Sequence, residues 1–219
     1  MSNNKYIIVI PARFDSKRLP GKVLELIGNN TMIYRTMENS VNIPNIEKTF
    51  LCTDNKSIAN EAKGLPVQVI LKSGNFSSGT DRIYHSISEI LQNLNFKDDY
   101  NINNLYIINI QADQPFINKN IINDFIENIN LMDRPELVTA YFKKKYDPSK
   151  DCNDLVKLIN SKKSKKVLYF SRSLIPYINK ININQPENSE GISLKCHIGI
   201  YAYRFDILQA WENLARSDL

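Results

Sequence analysis

Cysteine and histidine are scarce in this 219-residue chain, and their scarcity removes whole classes of chemistry. Three cysteines, Cys52, Cys152 and Cys196, are an odd number at wide spacings, which suits neither a disulfide framework nor a CxxC metal site. Reduced thiols are the expectation. With His85 and His197 as the only histidines, histidine-rich zinc sites are excluded, and any metal is expected to be a hard cation held by carboxylates and phosphates. Long apolar runs are also missing: none approaches the ~20 residues that cross a bilayer. The opening MSNNK lacks the charged-then-apolar layout of a secretory signal. A soluble, cytoplasmic protein with no membrane partner is therefore expected.

What is present is basic, with a formal net charge of +5. The cations are scattered or clustered as in hairpin turns (Lys143 to Lys145; Lys162, Lys163, Lys165 and Lys166) without interleaved aromatics, so nucleic acid is not the expected partner. The length suffices for one sizeable core, and the chain reads as a single domain, 1–219, with a smaller lobe at about 154–203.

The order of elements follows from apolar patterning. Residues 7–10 are a continuous β-branched apolar run, expected to be a strand buried on both faces and stopped by Pro11. A helical spacing follows at Met32, Ile33, Met37 and Val41. Residues 50–52 form a short strand, 57–63 a helix closed by Gly64, and 67–71 a strand. Thr80, Asp81 and Arg82 open a helix predicted to carry Ile83, Ile87, Ile90, Leu91 and Leu94 on one stripe. Residues 105–110 read as another buried strand, followed by a helix capped by Asn118 or Asn120 and a strand at 137–142. This alternation predicts an α/β fold: a mostly parallel central sheet with helices on both faces. Residues 155–159 and 167–170 then suggest an antiparallel hairpin, 194–203 a strand, and 204–214 a helix.

Loops that leave buried strands hold the candidate chemistry. Arg13, Lys17, Arg18 and Lys22 follow the first strand, and in open parallel sheets ligands sit beyond the strands' carboxyl ends, so this loop suits a polyphosphate. The alternative is a solvated basic loop. Ser78 and Gly79 precede a helix, where small residues let backbone N–H groups approach a ligand or simply cap the helix. Asp113 directly follows the 105–110 strand, as a carboxylate for Mg²⁺ or as a turn aspartate.

Taken together, IPARFDSKRLPGK, SSGTDR, NIQADQP, YFSRSLIP and HIGIYAYR, in this order, resemble the 3-deoxy-manno-octulosonate cytidylyltransferase family, the CMP-KDO synthetases. The resemblance runs from about Lys5 to Arg204. It implies a Rossmann-like nucleotidyltransferase fold, a homodimer, and transfer of CMP from CTP to 3-deoxy-manno-octulosonate (KDO) with Mg²⁺, serving lipopolysaccharide biosynthesis. On this resemblance Ala12 and Arg13 border the nucleotide, Arg18 and Lys22 hold its phosphates, and Ser78, Gly79 and Arg82 line the cytidine side. Asp113 holds Mg²⁺ and Gln111 faces the sugar. Arg172, His197 and Tyr201 form the sugar-acid end, within a lobe that also serves dimerisation. Arg13, Lys22 and Asp113 carry the catalytic roles. His197 and Tyr201 equally suit structural roles, since Tyr201 alternates with Tyr203 along a strand.

Three departures from the family pattern bear on activity. Ala112 stands where the family usually has glycine, and would crowd the loop if the position needs positive φ. Gln114 replaces a glutamate and removes a negative charge near the metal aspartate. The family's C-terminal continuation, with a second metal-binding aspartate, has no counterpart before Leu219. A truncated chain, a natural short variant, a weakly active nucleotide-binding relative, and a cytidylyltransferase for another acidic sugar all stay open.

Overall fold

A computed structural model describes residues 4–15, 19–94, 102–147, 153–177 and 193–214. The unbroken apolar run near the N-terminus becomes β1 (Lys5–Ala12), in which Ile7, Ile8, Val9 and Ile10 are all fully buried. Burial on both pleats requires both faces of the sheet to be covered. Pro11 does not stop this strand, contrary to expectation. It pairs in register with Cys52, two residues past the last pair on the strand's other flank (Val9 with Asn109). With one flank open, a residue lacking an N–H is tolerated.

After β1 come a 3-10 turn at Lys22–Leu24, a ribbon of β2 (Leu26–Ile27) and β3 (Asn30–Thr31), and α1 (Met32–Asn39), which Thr31 caps by accepting from the Tyr34 N–H. β4 (Ile46–Thr53), α2 (Lys56–Asn60) and β5 (Val67–Leu71) follow. The expected single helix from Thr80 is broken into α3 (Gly79–His85) and α4 (Ile87–Asn93) at Ser86, whose buried hydroxyl donates back to the Arg82 carbonyl. At Ser86 the backbone leaves the helical region, at φ −97 and ψ 1, which marks the interruption. The next elements are β6 (Leu105–Ile110), α5 (Lys119–Asn130) capped by Asn118, and β7 (Leu137–Lys145). β8 (Lys157–Asn160), β9 (Val167–Ser171), β10 (Ser193–Arg204) and α6 (Phe205–Gln209) complete the series. The helix expected over 204–214 is α6 followed by a separate 3-10 turn at Trp211–Asn213.

Chain contacts divide these elements into two compact units, 1–138 with 200–219, and 139–199. In the first, the strand order is β5-β4-β1-β6-β10. β5, β4, β1 and β6 run parallel, and the last part of β10 is antiparallel to β6, with Ile200 opposite Ile110. One face of the core joins Ile7, Val9, Phe50, Cys52 and Ile107 to Ile83 of α3, Ile90 of α4, and Phe205 and Leu208 at α6. On the other pleat Ile8 and Ile10 are equally buried, and Tyr6 donates to Asn130 at the end of α5. The connection order reverses direction at β1 and β6, so a crevice forms past their carboxyl ends.

The unit of residues 139–199 is built on the predicted hairpin. β8 and β9 pair antiparallel, Leu158 opposite Phe170, and Lys157 of β8 lies opposite Cys196 of β10. Its small core is Leu194 and Cys196 with Tyr146, Leu155 and Leu174 packed against them. No helix among the described residues is long and apolar enough to cross a membrane.

Candidate active site

The crevice beyond β1 and β6 is a cavity of ≈ 220 Å³ whose lining includes Arg13, Lys22, Ser78, Gly79, Arg82 and Asp113, together with Pro11, Val23, Phe76, Gln111 and Ala112. Each stands there for a local reason. Arg13 and Gln111 are the first residues after β1 and β6. Lys22 returns to the cavity because its loop is closed by the Gly21 N–H donating to the Phe14 carbonyl at 2.9 Å, with Gly21 at φ 74, which a side chain would strain. Ser78 caps α3 by accepting from the Asp81 N–H at 3.1 Å. At Gly79 an added Cβ would stand 3.0 Å from Pro11 Cγ and 3.3 Å from Gln111 Oε1. A side chain here would need Pro11 or Gln111 to give way by a few tenths of an ångström, so glycine keeps the approach close.

The charges are organised in pairs. Lys22 Nζ lies 2.9 Å from Asp113 Oδ2, and both side chains are exposed, at 41% and 47%. Arg82 Nη2 lies 2.6 Å from Asp54 Oδ2, and the Arg82 side chain is 6% exposed. The Arg82 guanidinium also sits 4.6 Å above the Phe76 ring. Arg13 is exposed and has no carboxylate partner among the described residues. The rim therefore offers one open cation and a second whose counter-ion is exchangeable, a combination suited to an incoming polyanion.

The concern over Ala112 is resolved. It is buried, its φ is not positive, and its carbonyl accepts from the Thr36 hydroxyl at 3.1 Å, so alanine is accommodated. Gln111 is held by donating from Nε2 to Asn109 Oδ1 at 3.0 Å. Ala12 is buried at the end of β1 beside the lining residues Pro11 and Arg13, while Arg18 and Cys152 lie outside the described residues.

The residues expected at the sugar-acid end divide between the units. Arg172 and His197 belong to residues 139–199, and Tyr201 to the other unit. Arg172 is exposed, with Nη1 donating to the Asp154 carbonyl at 3.2 Å. His197 shares a hydrogen bond with the Thr139 hydroxyl at 2.9 Å and meets Phe170 edge-on at 5.1 Å between centroids. Burial holds its pKa below the usual imidazole value, so at neutral pH it is an uncharged partner. Tyr201 stacks on Tyr203, whose hydroxyl pairs with that of Thr80 at 2.7 Å.

Sequence patterning missed Phe76 and Asp54. Asp54 had a legible signal: it immediately follows the last residue of a buried parallel strand, much as Asp113 stands three residues past the end of another. Phe76 had none, being one aromatic in a polar loop.

Fold and cavity define a nucleotide-binding α/β protein, with phosphate-type cations at the switch point of a parallel sheet. Residues 7–219 match the cytidylyltransferase family, to which the chain belongs. It is 34% identical over 209 residues to the 3-deoxy-manno-octulosonate cytidylyltransferase of Rickettsia bellii (strain OSU 85-389), covering 95% of this chain and 76% of that one. To the enzyme of the same name from Haemophilus influenzae (strain PittEE) it is 32% identical over 219 residues, covering 98% and 81%. Among solved structures it is similar to CMP:2-keto-3-deoxy-manno-octonic acid synthetase complexed with CTP, at 28% identity and a TM-score of 0.75, covering 98% of this chain and 80% of that one. The 4-diphosphocytidyl-2C-methyl-D-erythritol synthase of Anaerococcus prevotii shares the fold, with a TM-score of 0.55 at 12% identity.

Proposed function

We propose that this protein transfers the cytidylyl group of CTP to KDO, releasing pyrophosphate. The observation that carries the reading is the convergence of Arg13 and Lys22, from the loop after β1, with Asp113, from the distant loop after β6, on one cavity. In the reaction the sugar's anomeric hydroxyl oxygen bonds to the α-phosphorus while its proton passes to solvent. The bond from that phosphorus to the bridging oxygen breaks, and the electron pair leaves with pyrophosphate. Little covalent work falls to the protein, so its contribution is positioning and charge neutralisation. Arg13 and Lys22 would meet the phosphates, Lys22 exchanging Asp113 for the ligand. Ser78, Gly79 and Arg82 would meet the cytidine, and Gln111 the sugar. Arg172 would pair with the sugar carboxylate, and neutral His197 and Tyr201 would meet hydroxyls.

The residues present fit a magnesium ion that arrives with the nucleotide. Among the described residues no group of three His, Cys, Asp or Glu could cage a metal, but Mg²⁺ keeps most of its waters and needs only one or two carboxylates beside substrate phosphates. Asp113 would supply that carboxylate. When bound, the ion neutralises phosphate charge and acts as a Lewis acid at the reacting phosphate.

A homodimer is part of this proposal, supported by the exposed apolar residues Leu168 and Tyr169 on β9, and light scattering would read its mass; a cytoplasmic location is proposed with it on the family resemblance. The test of function is pyrophosphate release from CTP, Mg²⁺ and KDO. Release is expected with KDO and not with an acylneuraminate; the reverse preference would overturn the sugar assignment.

A further inference from the structure

Arg82 differs from the other cations of the cavity in being buried, with its ion pair out of reach of water on the guanidinium side. Its Nη2 is held by Asp54, its face lies over Phe76, and its Nη1 is buried without a hydrogen-bond partner among the described residues. A buried N–H left unpaired costs free energy, so it marks a position that a ligand completes. We propose that Asp54 is a positioning residue that sets the Arg82 guanidinium to donate through Nη1 to the nucleotide's base and not to its phosphates. The proposal rests on the cytidylyl-transfer reading.

Charge decides between base and phosphate. The Asp54 carboxylate cancels the guanidinium charge at 2.6 Å, so the pair has little to offer a triphosphate that Arg13 and Lys22 do not offer better. A neutral acceptor is a different case. Cytosine presents a carbonyl oxygen and an unprotonated ring nitrogen on one edge, and an oriented N–H in a water-poor wall meets either well. Orientation is what Asp54 supplies: from the end of β4 it fixes one arm of the fork, and Phe76 fixes its plane. Without the carboxylate the fork would be free to turn, and Nη1 would no longer be aimed at the base.

The two assignments predict opposite changes in Asp54→Asn. Titration with CTP and with inorganic tripolyphosphate, beside steady-state kinetics, separates them. The base-reading role predicts CTP bound about tenfold more weakly, as for loss of one well-placed hydrogen bond, with KM for CTP rising more than kcat falls. Tripolyphosphate affinity would stay within about twofold, and Asp54→Glu would recover part of the CTP affinity. Tighter tripolyphosphate binding by Asp54→Asn, or unchanged CTP affinity, would overturn the proposal. If Asp54→Asn does not fold, Arg82→Lys carries the same comparison: selective loss of CTP supports base reading, and equal loss of both ligands overturns it. Should the wild-type protein bind CTP no better than tripolyphosphate, the cytidylyl-transfer reading itself fails, before any variant is made.

Discussion

Two ion pairs of similar length border one cavity and differ in what surrounds them. Lys22–Asp113, at 2.9 Å, has both side chains more than 40% exposed; Arg82–Asp54, at 2.6 Å, has its guanidinium 6% exposed. Exposed pairs are worth roughly 0–1 kcal/mol because water competes for both charges and salt screens them. They can therefore be exchanged for a ligand at little cost. A buried cation has given up its hydration, and taking away its partner leaves an uncompensated charge. The first pair suits a place where charges must change partners during a reaction, and the second a place where a donor must not move.

The comparison can be broken most sharply at Asp113. Asp113→Asn is expected to lower turnover by about 10²- to 10³-fold, the scale of losing carboxylate-held metal at a reacting phosphate, while changing unfolding free energy by less than about 0.5 kcal/mol. Pyrophosphate release and urea unfolding read the two quantities, and unchanged turnover would take Asp113 out of the metal role. Arg82→Met should behave in the opposite way, costing roughly 2–3 kcal/mol of stability. That is below the range for fully buried pairs, because Asp54 keeps 28% side-chain exposure. A loss under about 0.5 kcal/mol in urea would show that the pair is no more than a surface contact.

His197 provides the smallest effect and an intermediate environment. Burial lowers its folded-state pKa, so as pH falls through the ordinary imidazole range the unfolded chain takes up a proton before the folded one does. Its contribution is neutral at high pH and destabilising on acidification. The wild-type unfolding midpoint should fall between pH 7 and 5 more than that of His197→Gln; identical pH profiles would remove His197 as a titrating group.

Much of this was legible in the residues themselves. The apolar runs at 7–10 and 105–110 announced strands buried on both faces, because no alternation was left for a solvated side. Pro11 misled because its effect depends on whether the neighbouring ladder has already ended, which is a property of the partner strand. Ser86 misled similarly: the apolar stripe runs through it, and the break is a local backbone departure, φ −97 and ψ 1, that periodicity does not record. At Ala112 the family pattern raised a conformational problem that the backbone does not have.

The sequence by itself determined the alternation of strands and helices, the loops that carry Arg13, Lys22 and Asp113, and the family, since periodicity and motif order are local properties of the chain. Tertiary structure alone decided which cation is open, which is exchangeable and which is locked. Asp54 and Arg82 stand 28 residues apart, and Lys22 and Asp113 stand 91 apart. Their pairing and their exposure follow from how parallel strands align their carboxyl ends, which no local pattern records.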